Sequence, residues 1–327
     1  MTDNTILVTG GAGYIGSHVT RQLRDRGDRV VVLDNLSSGH REAVIDTPLV
    51  IGDMADMELV GRIIKEHHVN EVIHFAAHTV VPESVTNPLK YYGNNTCATR
   101  NLLQACVDNG VAHFIFSSTA AVYGIPDQHM VDENTPTRPI NPYGSSKLVT
   151  EWALRDLDHA DLLRYAALRY FNVAGCAPDG RIGQSTPNAT LLIKVAAEVA
   201  TGKRDSISIF GTDYDTIDGT GVRDYIHVED LADAHLKALD HLRAGNDSFT
   251  ANCGYGHGYS VRQVLDMVAK VMQRTINVLE APRRPGDPPA LIAKAEYIRG
   301  LLGWEPRYDN LEFIVRTALD WERNKRY

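Results

Sequence analysis

The sequence predicts an α/β protein built on a doubly wound parallel sheet, followed by a smaller α/β lobe. Three observations lead to this class. Short β-branched runs alternate with helical patterns in the first half, the runs are apolar throughout, and a glycine-rich turn joins the first strand to the first helix. Strands that are apolar on both sides are typical of a parallel sheet covered by helices on both faces. The glycine-rich turn is typical of sheets that bind ligands at the carboxyl ends of their strands.

The elements of the first half alternate in type along the chain. Strands are expected at residues 6–9, 30–33, 49–51, 72–75, 114–116 and 166–169. Helices are expected near residues 13–26, 57–67, 90–109 and 143–157. Gly27, directly after the first helix, is a typical helix-terminating residue.

The second half differs in its loop composition and in the length of its predicted strands. Loops rich in Gly, Pro and Asp separate expected helices near residues 189–201, 229–241, 261–272 and 310–323, and the strand-like runs between them are short. We therefore expect a nucleotide-binding domain over residues 1–175 and a substrate lobe over 176–327, with some later segments packing back onto the first domain.

Composition limits the classes of partner. The 327 residues include 33 Lys+Arg and 41 Asp+Glu, a formal net charge of −8. This balance argues against nucleic acid or an anionic membrane as the main partner. No apolar run approaches the ~20 residues of a membrane helix, and the N-terminus lacks a basic start, so neither a membrane span nor a signal peptide is expected. The four cysteines lack metal-ligand spacing, which favours the cytoplasm and no metal site.

The glycine-rich turn predicts a dinucleotide site. Gly10, Gly13 and Gly16 lie between a predicted strand and a predicted helix, where they permit a tight turn and a close approach to a pyrophosphate. Asp34 ends the second strand, and a carboxylate there accepts hydrogen bonds from ribose hydroxyls and repels a 2′-phosphate. The pattern therefore favours NAD over NADP. Asp53, after the third strand, is either a contact to the adenine or an ordinary loop carboxylate.

A second group of residues predicts acid–base chemistry. Ser117 and Thr119 follow the fifth strand, at the sheet edge where ligands bind. Tyr143 and Lys147 are four residues apart on a predicted helix and so share one face. A free tyrosine has a pKa of about 10, too high for a base at neutral pH. A nearby ammonium and an oxidised nicotinamide would both lower it, and Thr119 can bind the same substrate hydroxyl.

These motifs resemble the extended short-chain dehydrogenase/reductase superfamily and, within it, the UDP-glucose 4-epimerase family of NAD-dependent epimerases and dehydratases. The resemblance extends over nearly the whole chain and includes residues 10–18, 74–77, 82–84, 168–172, 209–214 and 218–228. It implies reversible epimerisation at C4 of a UDP-hexose with tightly bound NAD. Tyr143 would take the proton of the 4-hydroxyl, and no external redox partner is needed. The resemblance also implies a homodimer that associates through the helices near 90–109 and 143–157.

The resemblance assigns further residues to the two ligands. Those expected to contact NAD are Gly10, Gly13, Tyr14, Ile15, Gly16, Asp34, Asn35, Asp53, Met54, Phe75, Ala76, Ala77, Asn94, Ser117, Tyr143, Lys147 and Phe171. Those expected to contact the UDP-sugar are Thr119, Asn172, Ser208, Phe210, Arg223, Tyr225, Arg284, Asp287 and Leu291. The arginine forks suit the oxygens of a diphosphate.

Several positions depart from the pattern of the family. Thr79 replaces a lysine near the cofactor, and Leu191 replaces an Asn or His near the sugar phosphate. Leu291 stands where members of narrow specificity have Tyr, so a second substrate with an N-acetyl group is expected to fit. UDP-GlcNAc and UDP-GalNAc are therefore alternative substrates. A UDP-pentose or a UDP-uronate is a further alternative, because an epimerase for either would keep the same catalytic residues.

Two other functions can be weighed from the sequence. Thr119 is followed by Ala120-Ala121, which have no proton to give, and this argues against a sugar-nucleotide dehydratase. A non-catalytic dinucleotide sensor would commonly lack Tyr143 or Lys147, and both are present. The sequence thus favours an isomerase over either alternative.

Overall fold

The computed structural model describes residues 5–187, 189–284 and 286–327. The strands, in chain order, are β1 (Thr5–Thr9), β2 (Arg29–Asp34), β3 (Leu49–Ile51), β4 (Val69–His74), β5 (His113–Ser117), β6 (Met130–Val131), β7 (Arg164–Tyr170), β8 (Asn172–Ala174), β9 (Ile207–Phe210), β10 (Val222–Arg223), β11 (Tyr225–His227), β12 (Phe249–Cys253), β13 (Tyr259–Ser260), β14 (Val278–Ala281) and β15 (Ala290–Ala293). The helices are α1 (Tyr14–Asp25), α2 (Met57–His67), α3 (Val81–Thr86), α4 (Pro88–Tyr91), α5 (Thr99–Asp108), α6 (Pro142–His159), α7 (Leu192–Ala200), α8 (Val228–Arg243), α9 (Val261–Met272), α10 (Glu296–Leu302) and α11 (Leu311–Arg323).

A seven-stranded sheet forms the centre of the molecule. Its spatial order is β12-β7-β5-β4-β1-β2-β3, and every neighbouring pair is parallel. The chain builds outward from β1 to β3 on one side and then crosses to β4 on the other side of β1. In such sheets the ligand crevice lies outside the carboxyl ends of the strands at this reversal. The predicted doubly wound parallel sheet is confirmed.

Both faces of the central sheet are buried, as the apolar strands predicted. Along β1, Ile6 lies in the cluster that includes α1 and α8, whereas Leu7 lies in the opposite cluster with α2 and α5. Successive side chains of a strand point to opposite faces, so a strand covered on both faces must be apolar at every position.

Side-chain caps fix where key helices begin. The carboxylate of Asp56 accepts a hydrogen bond from the backbone N–H of Leu59 at the start of α2, at 3.0 Å. The side chain of Asn141 accepts from the N–H of Gly144 at the start of α6, at 2.9 Å. Each cap satisfies a backbone donor that has no partner within the helix. The cap on α6 places Tyr143 in the first helical turn.

The predicted helix over residues 90–109 is interrupted. A π-helical segment, Tyr92–Ala98, separates α4 from α5. Within it, Asn95 accepts a hydrogen bond from the backbone N–H of His78 and donates to the carbonyl of His78. These bonds to a neighbouring loop hold the wider turn in place, and a regular helical pattern does not reveal them.

The second half of the chain forms several small sheets and also contributes to the large one. β8 pairs with β11, β9 with β14, and β10 lies between β13 and β15. β12 pairs with β7 in the central sheet, and α8 packs against α1. Over the described residues, every helix is too short or too polar to cross a membrane.

Candidate active site

A cleft of about 1070 Å³ opens at the carboxyl ends of the central strands. The predicted site residues that line it are Gly10, Gly13, Tyr14, Ile15, Gly16, Asp34, Asn35, Asp53, Met54, Phe75, Ala76, Ala77, Asn94, Thr119, Tyr143, Phe171, Asn172, Ser208, Phe210, Arg223, Tyr225, Arg284, Asp287 and Leu291. Ser117 and Lys147 are buried and lie outside this lining. Residues from both halves of the chain therefore meet around one cavity.

The glycine turn packs backbone segments closer together than any side chain would allow. Gly10 has a φ of +72°, and a Cβ there would lie 2.5 Å from the backbone nitrogen of Ala76. A Cβ on Gly16 would lie 2.3 Å from the carbonyl oxygen of Gly10. Helix α1 starts at Tyr14 and has no acidic residue in its first turn. Its N-terminus therefore offers free N–H groups and a positive dipole end to an anion.

Asp34 lies at the end of β2, facing the same cleft. Its Oδ2 accepts a hydrogen bond from the N–H of Ala12 at 2.9 Å, and its Oδ1 accepts from the N–H of Leu36 at 2.8 Å. Burial raises the pKa of this carboxyl, and the two backbone N–H groups lower it in part. Since a carboxylate has about four acceptor sites, capacity remains for two ribose hydroxyls.

Tyr143 and Thr119 come together where α6 begins. A Cβ on Gly144 would lie 2.6 Å from the carbonyl oxygen of Ala121, so the glycine lets the helix start close to the segment after β5. The Tyr143 side chain is buried, and burial raises the pKa of its hydroxyl. A hydrogen bond with the Thr119 side chain acts in the opposite direction. The phenol is thus protonated when no ligand charge lies beside it.

Lys147 lies one helical turn after Tyr143, behind the wall of the cleft. Its Nζ donates a hydrogen bond to the carbonyl oxygen of Ser117 at 2.9 Å and lies 4.8 Å from the centre of the Phe116 ring. Burial lowers the pKa of this lysine to about 7, although the nearby Glu151 raises it in part. The ammonium and the neutral amine are therefore close in free energy near neutral pH, so that neighbouring charges decide which form is present.

The predicted substrate residues include two arginines in different settings. Arg223 donates from Nη2 to Oδ1 of Asp287 at 2.7 Å. The guanidinium carbon of Arg284 lies 3.8 Å from the centre of the Phe210 ring. Two guanidinium groups that reach one cavity form a suitable site for a diphosphate.

Sequence reasoning missed other residues of the cavity. Arg204 lines it and donates from Nη2 to the carbonyl oxygen of Ala189 at 3.3 Å. Tyr170 lines it and shares a hydrogen bond of 2.6 Å with the hydroxyl of Ser117. Tyr170 ends a predicted strand and could have been found from that position. Arg204 follows a helix in a polar loop, where no local pattern marks it.

The cleft combines an anion-binding helix N-terminus, a carboxylate for ribose and a Tyr–Lys pair, which are the features of a dinucleotide-dependent enzyme of the short-chain dehydrogenase type. The family model described as "NAD dependent epimerase/dehydratase family" matches residues 6–254. The chain belongs to this family and, within it, to the UDP-glucose 4-epimerases.

Individual relatives cover almost the whole chain. A UDP-glucose 4-epimerase of Azospirillum brasilense is 55% identical over 330 aligned positions, which span 99% of this chain and 95% of the relative. The solved structure of UDP-glucose 4-epimerase from Brucella ovis in complex with NAD is 42% identical, with a TM-score of 0.94 and coverage of 97% of this chain and 98% of that one. The UDP-Glc/GlcNAc 4-epimerase of Campylobacter jejuni is 50% identical, with a TM-score of 0.87 and coverage of 98% and 99%.

The cleft fits NAD, the cofactor of this family. Gly10 and Gly16, where a Cβ would collide with backbone atoms, keep the turn tight, so that the N-terminus of α1 is open to a pyrophosphate. The negative charge of Asp34 at the end of β2 suits ribose hydroxyls and repels a 2′-phosphate. Within the described ranges, no three His, Cys, Asp or Glu side chains are placed to hold a metal ion together.

Proposed function

We propose that this protein interconverts UDP-galactose and UDP-glucose by transient oxidation at C4 of the sugar. The observation that carries the proposal is the position of Tyr143 and Thr119 on a cavity that also contains the glycine turn and two guanidinium groups. When bound, NAD supplies a positive charge and the capacity to take up and return the C4 hydride. Because the bound cofactor is regenerated in each cycle, the reaction has no net oxidation, and a protein with a dehydrogenase fold acts as an isomerase.

The proton of the 4-hydroxyl is assigned to Tyr143. Burial raises the pKa of Tyr143, and the Thr119 side chain lowers it in part. In this proposal, positive charge on Lys147 and on the oxidised nicotinamide further favours the phenolate. Thr119 positions the same hydroxyl of the sugar. After the keto sugar has turned over in the site, C4 receives the hydride on its opposite face, and Tyr143 returns the proton to the oxygen at C4.

The nucleotide end of the substrate must stay fixed while the sugar turns. Arg223 and Arg284 are assigned to the diphosphate, and their charge-assisted hydrogen bonds are about twice as strong as neutral ones. Phe210, Tyr225 and Ser208 line the same cavity as these two arginines. An anchored diphosphate lets the hexose present either face to the nicotinamide. In this proposal residues 1–175 bind NAD and residues 176–327 supply most of the sugar-nucleotide contacts.

UDP-N-acetylhexosamines are a second candidate substrate pair. Leu291 lines the cavity, and its branched chain is smaller than the tyrosine expected in members of narrow specificity. The Campylobacter jejuni relative is named for both Glc and GlcNAc. A UDP-uronate is less favoured, because Arg223 and Arg284 are assigned to the diphosphate. Arg204, the remaining lysine or arginine among the described residues that line the cavity, forms an ion pair with Glu198.

Product analysis with a panel of UDP-sugars tests the function. The panel contains the UDP derivatives of glucose, galactose, both N-acetyl forms, xylose and arabinose. We expect rapid conversion of UDP-galactose, and slower conversion of UDP-GlcNAc that is lost in Leu291→Tyr. Tyr143→Phe should lower kcat by about 10²- to 10⁴-fold, the usual contribution of a general base. Wild-type protein that converts no hexose in the panel would contradict the proposal.

We also propose that the protein is a cytoplasmic homodimer. Leu89 and Tyr92 near α4, and Trp152 on α6, are exposed apolar side chains on elements that pack together. These are the helices through which members of the superfamily are expected to associate. The four cysteines are unpaired, which supports a reducing compartment. Sedimentation analysis should give twice the chain mass, and Trp152→Glu should give the monomer. A wild-type monomer at micromolar concentration would contradict the dimer.

A further inference from the structure

Helix α6 carries a third buried ionisable residue besides Tyr143 and Lys147. Glu151 follows Lys147 by four residues and Tyr143 by eight, so the three side chains lie along one face of the helix. The Glu151 side chain is 5% exposed. Burying a carboxylate is costly unless it is paired, so its partners indicate what it does.

Glu151 connects α6 to two strands of the central sheet. The hydroxyl of Ser118, just after β5, donates a hydrogen bond to Oε1 at 2.5 Å. Arg169 of β7 donates from Nη2 to Oε2 at 2.6 Å and from Nε to Oε1 at 3.0 Å. Arg169 is held in turn by the hydroxyl of Tyr123, which accepts from Nη1 at 3.0 Å. The carboxylate is thus fully hydrogen-bonded and fixed in orientation.

Ser118, whose hydroxyl is bonded to Glu151, lies between the two residues that contact Lys147 and Tyr143. Ser118 follows Ser117, whose carbonyl oxygen accepts the hydrogen bond from Lys147. Ser118 precedes Thr119, whose side chain meets the hydroxyl of Tyr143. A bond from α6 to Ser118 therefore sets the distance from both catalytic side chains of the helix to their partners on the strand end.

Glu151 is also the anion that acts on Lys147. His74 of β4 faces the lysine as well, but burial lowers its pKa to about 3 and it stays neutral. Tyr170 of β7, bonded to Ser117, has its pKa raised by burial and is neutral too. Glu151 favours the ammonium form of Lys147 against the effect of burial. The proton on Lys147 therefore depends on this carboxylate.

We propose that Glu151 is a positioning residue for the acid–base pair. It holds the strand end at Ser118 against α6 and keeps Lys147 in its ammonium form next to Tyr143. The proposal deepens the epimerase function and rests on it for its effect on turnover, but the effect on the Lys147 proton can be measured independently.

The test compares Glu151→Gln with Arg169→Gln, which break the same buried ion pair from opposite sides. Lys147 must be protonated in the active enzyme, so its titration sets the alkaline limb of the kcat profile. In Glu151→Gln we expect this limb to move to lower pH by about one pH unit or more, since a nearby opposite charge shifts a pKa by that amount. Arg169→Gln keeps the carboxylate, and its limb should not move to lower pH. The KM for UDP-galactose should change less than about threefold in both.

A second measurement separates this proposal from the epimerase function. Lysine labelled with ¹³C reports the Lys147 titration by NMR, and the signal is assigned from its loss in Lys147→Met. A Lys147 pKa that is lower than in wild type in Glu151→Gln, and is not lowered in Arg169→Gln, supports the proposal even if wild-type protein converts no UDP-sugar. Equal shifts in both variants, or no shift in Glu151→Gln, would overturn it. If a single variant fails to fold, the double Gln variant is used, and an unchanged Lys147 pKa there overturns it as well.

Discussion

Replacing Lys147 with methionine should abolish turnover and at the same time stabilise the fold. Lys147 is 3% exposed, and the polar contact of its Nζ is the carbonyl oxygen of Ser117. Methionine has a similar length and no charge, so it fills the same space without burying an ion. In the proposed mechanism the lysine acts through its charge near Tyr143, and this charge opposes folding.

The magnitude follows from the pKa of Lys147. Burial lowers the pKa from 10.5 to about 7. This shift lowers the free energy of unfolding of the wild-type protein by about 5 kcal/mol at pH 6 and by about 2 kcal/mol at pH 9. The unfolded chain binds this proton up to pH 10.5 and the folded chain only up to about 7, so wild-type stability rises between these values. The lost hydrogen bond to Ser117 offsets about 1–2 kcal/mol of the gain.

We expect Lys147→Met to be more stable than wild type by about 3–4 kcal/mol at pH 6, with the difference falling to about 1 kcal/mol or less at pH 9. Urea unfolding followed by circular dichroism at both pH values measures it. Lys194→Met is a matched control, because Lys194 is also buried but forms an ion pair with Glu322. Glu322 keeps a second ion pair with Lys203, so loss of the Lys194 pair should cost about 1.5–3 kcal/mol at either pH. A Lys147→Met protein that is less stable than wild type at pH 6, or a difference independent of pH, would refute the reasoning.

Three further predictions concern the two ligands. Gly16→Ala should yield protein without NAD, because the new Cβ would lie 2.3 Å from the carbonyl oxygen of Gly10, and the cofactor content after purification measures this. Asp34→Ser should weaken NAD binding by about 10- to 150-fold, since charge-assisted hydrogen bonds are lost, while NADP binding improves; a retained preference for NAD in titrations would contradict it. Arg223→Met should raise the KM for UDP-galactose at least about tenfold with little change in NAD content, and an unchanged KM would contradict its contact with the diphosphate.

Local patterns were sufficient to predict the chemistry of the nucleotide end. The order of Gly10, Gly13 and Gly16 and the position of Asp34 depend on neighbours in sequence, because a strand, a turn and a helix N-terminus form one continuous unit. Tyr143 and Lys147 are likewise four residues apart on one helix. Within a single helix or strand, the number of residues between two side chains determines whether they lie on the same face.

Contacts between elements that are distant in sequence could not be predicted in this way. The π-helical turn at Tyr92–Ala98 is held by bonds to His78, and no periodicity within the segment indicates them. Arg204, in the loop after α7, lines the cavity and donates a hydrogen bond to the carbonyl oxygen of Ala189, which precedes that helix. The bonds from Glu151 to Ser118 and Arg169 join three elements that meet only in the folded sheet.

The sequence by itself determined the fold class and the dinucleotide turn, and it predicted which residues carry the acid–base chemistry, since these depend on periodicity and on short, contiguous motifs. The tertiary structure decided the protonation of those residues. A tyrosine and a lysine four residues apart have ordinary pKa values on an exposed helix. Here the packing of α6 against β7 and against residues 120–123, which follow β5, removes water from both, raises the pKa of Tyr143 and lowers that of Lys147. Desolvation depends on everything that surrounds a group, and only the folded chain supplies those surroundings.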